Sequence, residues 1–111
     1  MMLSEIVKTL NLTARTGDIS DREVKGGYSS DLMSDVLANA KSGDLWITNQ
    51  KHQNCVAVAS LLGLAGIIIA GGIRPDENTL EKAVEESVPV YTTDMSAYEL
   101  AGKLYEMGVR A

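Results

Sequence analysis

The residue types able to do chemistry fall in short polar segments rather than in one motif. They are Arg15-Thr16-Gly17-Asp18, Asp21-Arg22, Asn49-Gln50-Lys51-His52-Gln53, Gly71-Gly72-Ile73-Arg74 and Thr92-Thr93-Asp94. Between them they offer backbone N–H groups, hydroxyls, carboxamides and cations. That inventory suits a small anionic or polar ligand. Nucleophilic catalysis needs a nucleophile, a base and a group to orient the base. His52 is the only histidine, so it would have to serve any of many hydroxyls, and the pairing has no specificity. Cys55, the one cysteine, stands beside Val56 and reads as a small buried hydrophobe before it reads as a thiolate.

Each segment also has a plainer reading. Gly71-Gly72 follows an apolar run and serves equally as a tight turn into a helix at Pro75. It matches neither G-x-G-x-x-G nor G-x-x-x-x-G-K-[ST], so it implies neither dinucleotide nor P-loop binding. His52 has a solvated loop or helix start as its default place. Arg15, Lys51 and Arg74 are as readily surface cations as ligand contacts. Glu81, Glu85 and Glu86 form one polar helix face with nothing to separate their pKa values, which argues against a paired-carboxylate site. One cysteine and one histidine cannot supply four ligands to a zinc or an iron–sulfur cluster. No metal and no cofactor are expected.

Hydrophobic spacing supplies the elements that would position these segments. Leu3, Ile6, Val7 and Leu10 recur at helical spacing behind Ser4, which can cap. Leu12–Thr16 and Val24–Tyr28 read as strands. Ser29-Ser30 then opens a helix with Leu32, Met33, Val36, Leu37 and Ala40 inward. Next come a strand at Asp44–Thr48, an apolar helix at Asn54–Leu62 and an apolar strand at Ala65–Ala70. Pro75 starts a helix through Glu86, with Leu80, Ala83 and Val84 inward. Val88–Thr92 is the last strand, and Ser96-x-x-Glu99 is a capping box for a helix ending before Gly108.

This alternation with short loops predicts a three-layer α/β/α domain with a mostly parallel sheet of about five strands. In such sheets ligands bind beyond the carboxyl ends of the strands. The expected ligand-binding set is therefore Arg15, Thr16, Asn49, Lys51, His52, Gly71, Gly72, Arg74, Thr92, Thr93 and Asp94.

A chain of 111 residues has the length of one domain, expected to span residues 1–111. With no phenylalanine, its core must come from Val, Ile, Leu, Ala and Met, as in helices packed on a parallel sheet. Ten basic against fifteen acidic residues give a net charge of −5, with no basic cluster. That balance argues against nucleic acid and against anionic lipid. Val56 to Ile73 carries no charge and approaches the length of a membrane span, but Gly63, Gly66, Gly71 and Gly72 break it. A buried helix running into a buried strand explains it better. The opening Met1-Met2-Leu3-Ser4-Glu5 lacks the basic segment and apolar run of a signal peptide, and a single cysteine suits a reducing cytoplasm.

From Gly66-Ile67-Ile68-Ile69-Ala70-Gly71-Gly72-Ile73-Arg74-Pro75-Asp76 onward the sequence resembles the DRTGG domain family. Val88-Pro89-Val90-Tyr91-Thr92-Thr93-Asp94-Met95-Ser96-Ala97-Tyr98-Glu99 strengthens the likeness. Gly27-Tyr28-Ser29-Ser30-Asp31-Leu32-Met33 and Gly43-Asp44-Leu45-Trp46-Ile47-Thr48 extend it across the chain. Ala70-Gly71-Gly72 stands in the place of the family's Thr-Gly-Gly, and the loop Asn49–Gln53 in the place of its Asp-Arg pair. The resemblance implies a fold like the N-terminal domain of HPr kinase/phosphorylase and a regulatory or accessory role. Such domains occur beside CBS modules in pyrophosphatases and within phosphate acetyltransferases. Stand-alone copies go with iron-only hydrogenase systems. With no P-loop in the chain, the resemblance does not imply kinase activity.

The leading expectation is a non-catalytic regulatory domain, a homodimer, that binds a small anionic ligand or nucleotide at the carboxyl edge of the sheet. The alternative is a protein-interaction subunit of a hydrogenase-type redox complex, with no small-molecule ligand. The third reading is a small enzyme using His52 or Cys55.

Overall fold

The computed structural model describes residues 1–17 and 19–110. The chain runs α1 (Leu3–Thr9), β1 (Thr13–Ala14), β2 (Gly26–Ser29), α2 (Met33–Asn39) and β3 (Asp44–Thr48). It continues through α3 (Asn54–Leu62), β4 (Gly66–Ile69), α4 (Glu77–Glu85), β5 (Val90–Thr92) and α5 (Ala97–Glu106). The strands form one five-stranded sheet in the order β1-β5-β4-β3-β2. Strands β2 to β5 are parallel, and β1 adds antiparallel to the β5 edge, with Thr13 opposite Thr92. This is the expected α/β fold.

Period-two alternation divides the central strands between two cores. Leu45, Ile47 and Ile68 pack with Leu3 and Ile6 of α1 and Leu100 and Leu104 of α5. Trp46, Ile67, Ile69 and Val90 pack on the other face with Val36 of α2, Val56 and Ala59 of α3 and Ala83 of α4. Every residue of β3 and β4 is buried, as befits strands covered on both sides. Helices α2, α3 and α4 thus share one face, and α1 and α5 share the other.

Several local expectations need correction. Ser4 lies inside α1 rather than capping it. Its N–H and hydroxyl donate to the two Asp21 oxygens, at 3.0 and 2.6 Å, so Asp21 serves that helix end from a distant segment. Leu32 and Leu37 of the α2 segment are exposed, because a helix of seven residues turns one strip inward and Val36 fills it. Val84 of α4 is likewise exposed at 55%, and Thr79 occupies an inward position beside Ala83. Pro75 precedes that helix, whose N-cap is Asp76. Strands β1, β4 and β5 are shorter than expected and β2 begins only at Gly26, although the N–H groups of Arg15, Ala65 and Ala70 still donate across to the carbonyls of Val90, Asp44 and Thr48.

Candidate functional site

The layer assignment locates the site. Strand β4 leads into α4 on one face, whereas its neighbour β5 leads into α5 on the other. Where successive connections leave an open sheet on opposite sides, a crevice opens beyond the carboxyl ends of the two strands. Here the crevice is a cleft of about 610 Å³, lined by Arg15, Gly72, Arg74, Thr92, Thr93 and Asp94 from the expected set. Antiparallel β1 brings its N-terminal end to the same edge, which adds Leu10, Asn11 and Thr13.

Arg15 Nε–H donates to Thr92 Oγ1 at 2.9 Å, holding the guanidinium across the end of β5. Arg74 reaches the cleft from the β4–α4 loop. Gly71 and Gly72 form a turn with φ of 76° and 72°, a conformation that a β-carbon disfavours. Their N–H groups are taken up within the chain: Gly71 N–H donates to the Met95 carbonyl at 2.7 Å and Gly72 N–H to that of Thr93 at 2.9 Å. The two glycines therefore clamp the β4 and β5 loops together. They do not present their amides to an anion, and the cleft's cationic donors are side chains.

A second depression of about 360 Å³ lies beside the first, lined by Asp31, Asn49, Gln50, Lys51 and His52. Ile73 lines both. His52 Nδ1 is 2.8 Å from Asp76 Oδ2, and the Lys51 carbonyl accepts from Thr79 Oγ1 at 2.7 Å. These contacts tie the Asn49–Gln53 loop to the first turn of α4. Asp31 holds the loop's other side, its Oδ1 accepting from Thr48 Oγ1 at 2.9 Å and from Asn49 N–H at 2.7 Å. The structure thus divides the expected residues between two adjoining hollows.

Gly71 lines neither, and nor does Thr16. Thr16 is buried, and its Oγ1 accepts from Val90 N–H at 3.3 Å, fastening the end of β1 to β5. Gly17 is described, and Asp18 of the same segment lies outside the described residues. Cys55 is fully buried on the α2–α4 side, and its thiol donates to the His52 carbonyl at 2.9 Å. Burial pushes its pKa up to about 11, so the thiol stays protonated at neutral pH. Among the described residues no group of His, Cys, Asp and Glu side chains is arranged to hold a metal ion. No helix among them is long and apolar enough to cross a membrane.

The model of the DRTGG domain matches residues 5–107. The chain belongs to the DRTGG domain family. Similarity in structure agrees. A crystal structure of the CBS and DRTGG domains of the regulatory region of Clostridium perfringens pyrophosphatase, complexed with the activator diadenosine tetraphosphate, matches with a TM-score of 0.67. Identity is 17%, and the match covers 90% of this chain but 44% of that one, so this chain spans less than half of its length. No curated protein matches the chain.

This DRTGG domain carries Asp21-Arg22, and the structure gives Asp21 a local task. Its hydrogen bond from Ser4 holds the carboxyl below the usual range, and the pair lies outside both hollows. Sequence reasoning missed Leu10, Asn11, Thr13, Met95 and Asp31 as lining residues. Asn11 gave one usable signal. It adopts φ 53°, and asparagine tolerates that left-handed region better than most residues. Leu10 and Thr13 could be found only by knowing that β1 runs antiparallel beside β5, whereas Met95 simply continues the loop after Asp94 and Asp31 lies at the carboxyl end of β2.

Proposed function

We propose that this DRTGG domain is a non-catalytic regulatory or accessory module that binds a small anionic ligand in the Arg15/Arg74 cleft. The observation that carries this reading is that Arg15 and Arg74 line one cleft together with Thr92 and Thr93 at the β4–β5 crevice. Guanidinium forks and hydroxyls recognise phosphate or carboxylate without chemistry of their own. Cys55 is a poor nucleophile where it lies. The pyrophosphatase neighbour, in which this fold stands within a regulatory region crystallised with an activator, supports the regulatory part. A cytoplasmic place and a single domain over residues 1–111 belong to the same proposal.

Calorimetric titration with pyrophosphate tests it. Binding by the native chain, weakened by Arg15→Ala and by Arg74→Ala, is the expected result. Equal affinity in all three proteins would remove the cleft from consideration.

A second reading, a protein-interaction subunit, and the homodimer expected with the first reading are both favoured by one observation on α5. Tyr98 is 91% exposed and Tyr105 60% exposed, with Gly102 between them on the helix surface. A β-carbon at Gly102 would meet open space, so no packing within the chain requires glycine there. Most of the apolar content of α3 does not serve this reading, since Cys55, Val56, Val58 and Ala59 are used in its own core, whereas Leu61 is exposed at 77%. Light scattering of the native chain and of Tyr98→Asp separates the two. A dimer lost in Tyr98→Asp supports self-association through α5, and a redox-enzyme partner would leave the isolated chain monomeric.

A further inference from the structure

Asp94 is the cleft residue that anion binding leaves unexplained. It follows β5 on the same wall as Thr92 and Thr93, exposed to the cleft. Its carboxylate stands over Gly72, where a β-carbon would lie 3.2 Å from Oδ1. The ion pairs among the described residues, His52–Asp76 and Lys82–Glu86, lie elsewhere, so neither Arg15 nor Arg74 neutralises it. A bare phosphate or pyrophosphate drawn to the arginines would meet this negative charge at the same opening. A ligand with an anionic group and hydrogen-bond donors of its own would use both signs.

We infer that the ligand class of the cleft is a nucleoside phosphate, its phosphates at Arg15 and Arg74 and its ribose hydroxyls donating to Asp94. This rests on the anion-binding reading above and narrows it. A carboxylate is well suited to accept hydrogen bonds from a ribose, as at the ends of strands in dinucleotide-binding sheets. The cleft volume of about 610 Å³ lies in the range of cofactor-sized sites and exceeds what a phosphate needs. Leu10, Ile73 and Met95 give it apolar surface against which a base can lie. Asp94 is then the residue that determines specificity, because it penalises bare polyanions and rewards the sugar.

The test is calorimetric titration of the native chain and of Asp94→Ala with ATP, 2′,3′-dideoxy-ATP and inorganic tripolyphosphate. The native chain should prefer ATP to both other probes by about tenfold or more, the worth of a hydrogen bond to a charged group. Asp94→Ala should bring ATP down to the dideoxy level while tightening tripolyphosphate. Native affinity for dideoxy-ATP or tripolyphosphate equal to that for ATP would overturn the inference. So would an Asp94→Ala variant that shifts ATP and tripolyphosphate alike. Failure of the underlying reading looks different: no probe binds, or Arg74→Ala leaves both ATP and tripolyphosphate unchanged.

Discussion

At the scale of residues, Arg74 carries the charge argument and Gly72 the backbone argument. Arg74 enters no ion pair among the described residues, so Arg74→Ala should leave the melting temperature nearly unchanged. It should weaken an anion by about 1.5–3 kcal/mol in calorimetry, the range for a hydrogen bond to a charged group. Gly72 behaves oppositely. At φ 72° any β-carbon is strained, so Gly72→Val should lower the melting temperature with or without a ligand. That substitution reports on the turn and cannot by itself diagnose binding. Cys55 yields a prediction about pH. Its pKa rises from 9.0 to about 11 on folding, so above pH 9 the unfolded chain releases the proton first. Stability is therefore intact below that point and declines as pH climbs towards about 11, by on the order of 2–3 kcal/mol. Denaturant melts across this window should show a shallower alkaline decline in Cys55→Ala than in the native chain. Parallel curves would mean that the thiol is not desolvated.

At the scale of elements, α5 offers the cleanest pair of substitutions. Ser96 Oγ accepts from Glu99 N–H at 3.2 Å, so Ser96→Ala should cost about 1 kcal/mol through an uncapped N-terminus. Gly102→Ala should add up to about 1 kcal/mol, because helix propensity improves and the methyl group meets nothing. A thermal melt reads both signs. A gain at Gly102 accompanied by loss of a dimer would instead show that the glycine serves a docked partner. The α5 cap was legible because serine before a helical stripe is a local signal, although only the Ser96 half of the expected capping box forms. The bounds of β3 and α3 were legible too, since Asp44–Thr48 and Asn54–Leu62 change character sharply at both ends. Helices α2 and α4 were misread in part. Apolar residues such as Leu37 and Val84 fit a helical stripe on paper, but short helices on a sheet bury a narrower strip. Ser4 was misread for another reason: Asp21, which serves that helix end, is distant in sequence.

At the scale of the whole molecule, alternation of strands and helices predicts the parallel sheet, and the rule for such sheets predicts which edge binds. It does not predict where along that edge. The crevice follows from two facts invisible in the chain: α4 and α5 lie on opposite faces, and β1 returns antiparallel beside β5. Together these unite Arg15 with Arg74 and Asp94, far apart in sequence, and leave Lys51 and His52 in the neighbouring hollow. Thr16, only one residue beyond Arg15, turns instead into the β1–β5 seam. The proposed function requires that an anionic ligand enters that cleft. An amide chemical-shift titration of the ¹⁵N-labelled chain with pyrophosphate and ATP decides it most directly. Saturable shifts confined to Asn11–Arg15, Gly72–Arg74 and Thr92–Met95 are the predicted result; no shifts at millimolar ligand, or shifts confined to the Tyr98–Tyr105 face of α5, would contradict it.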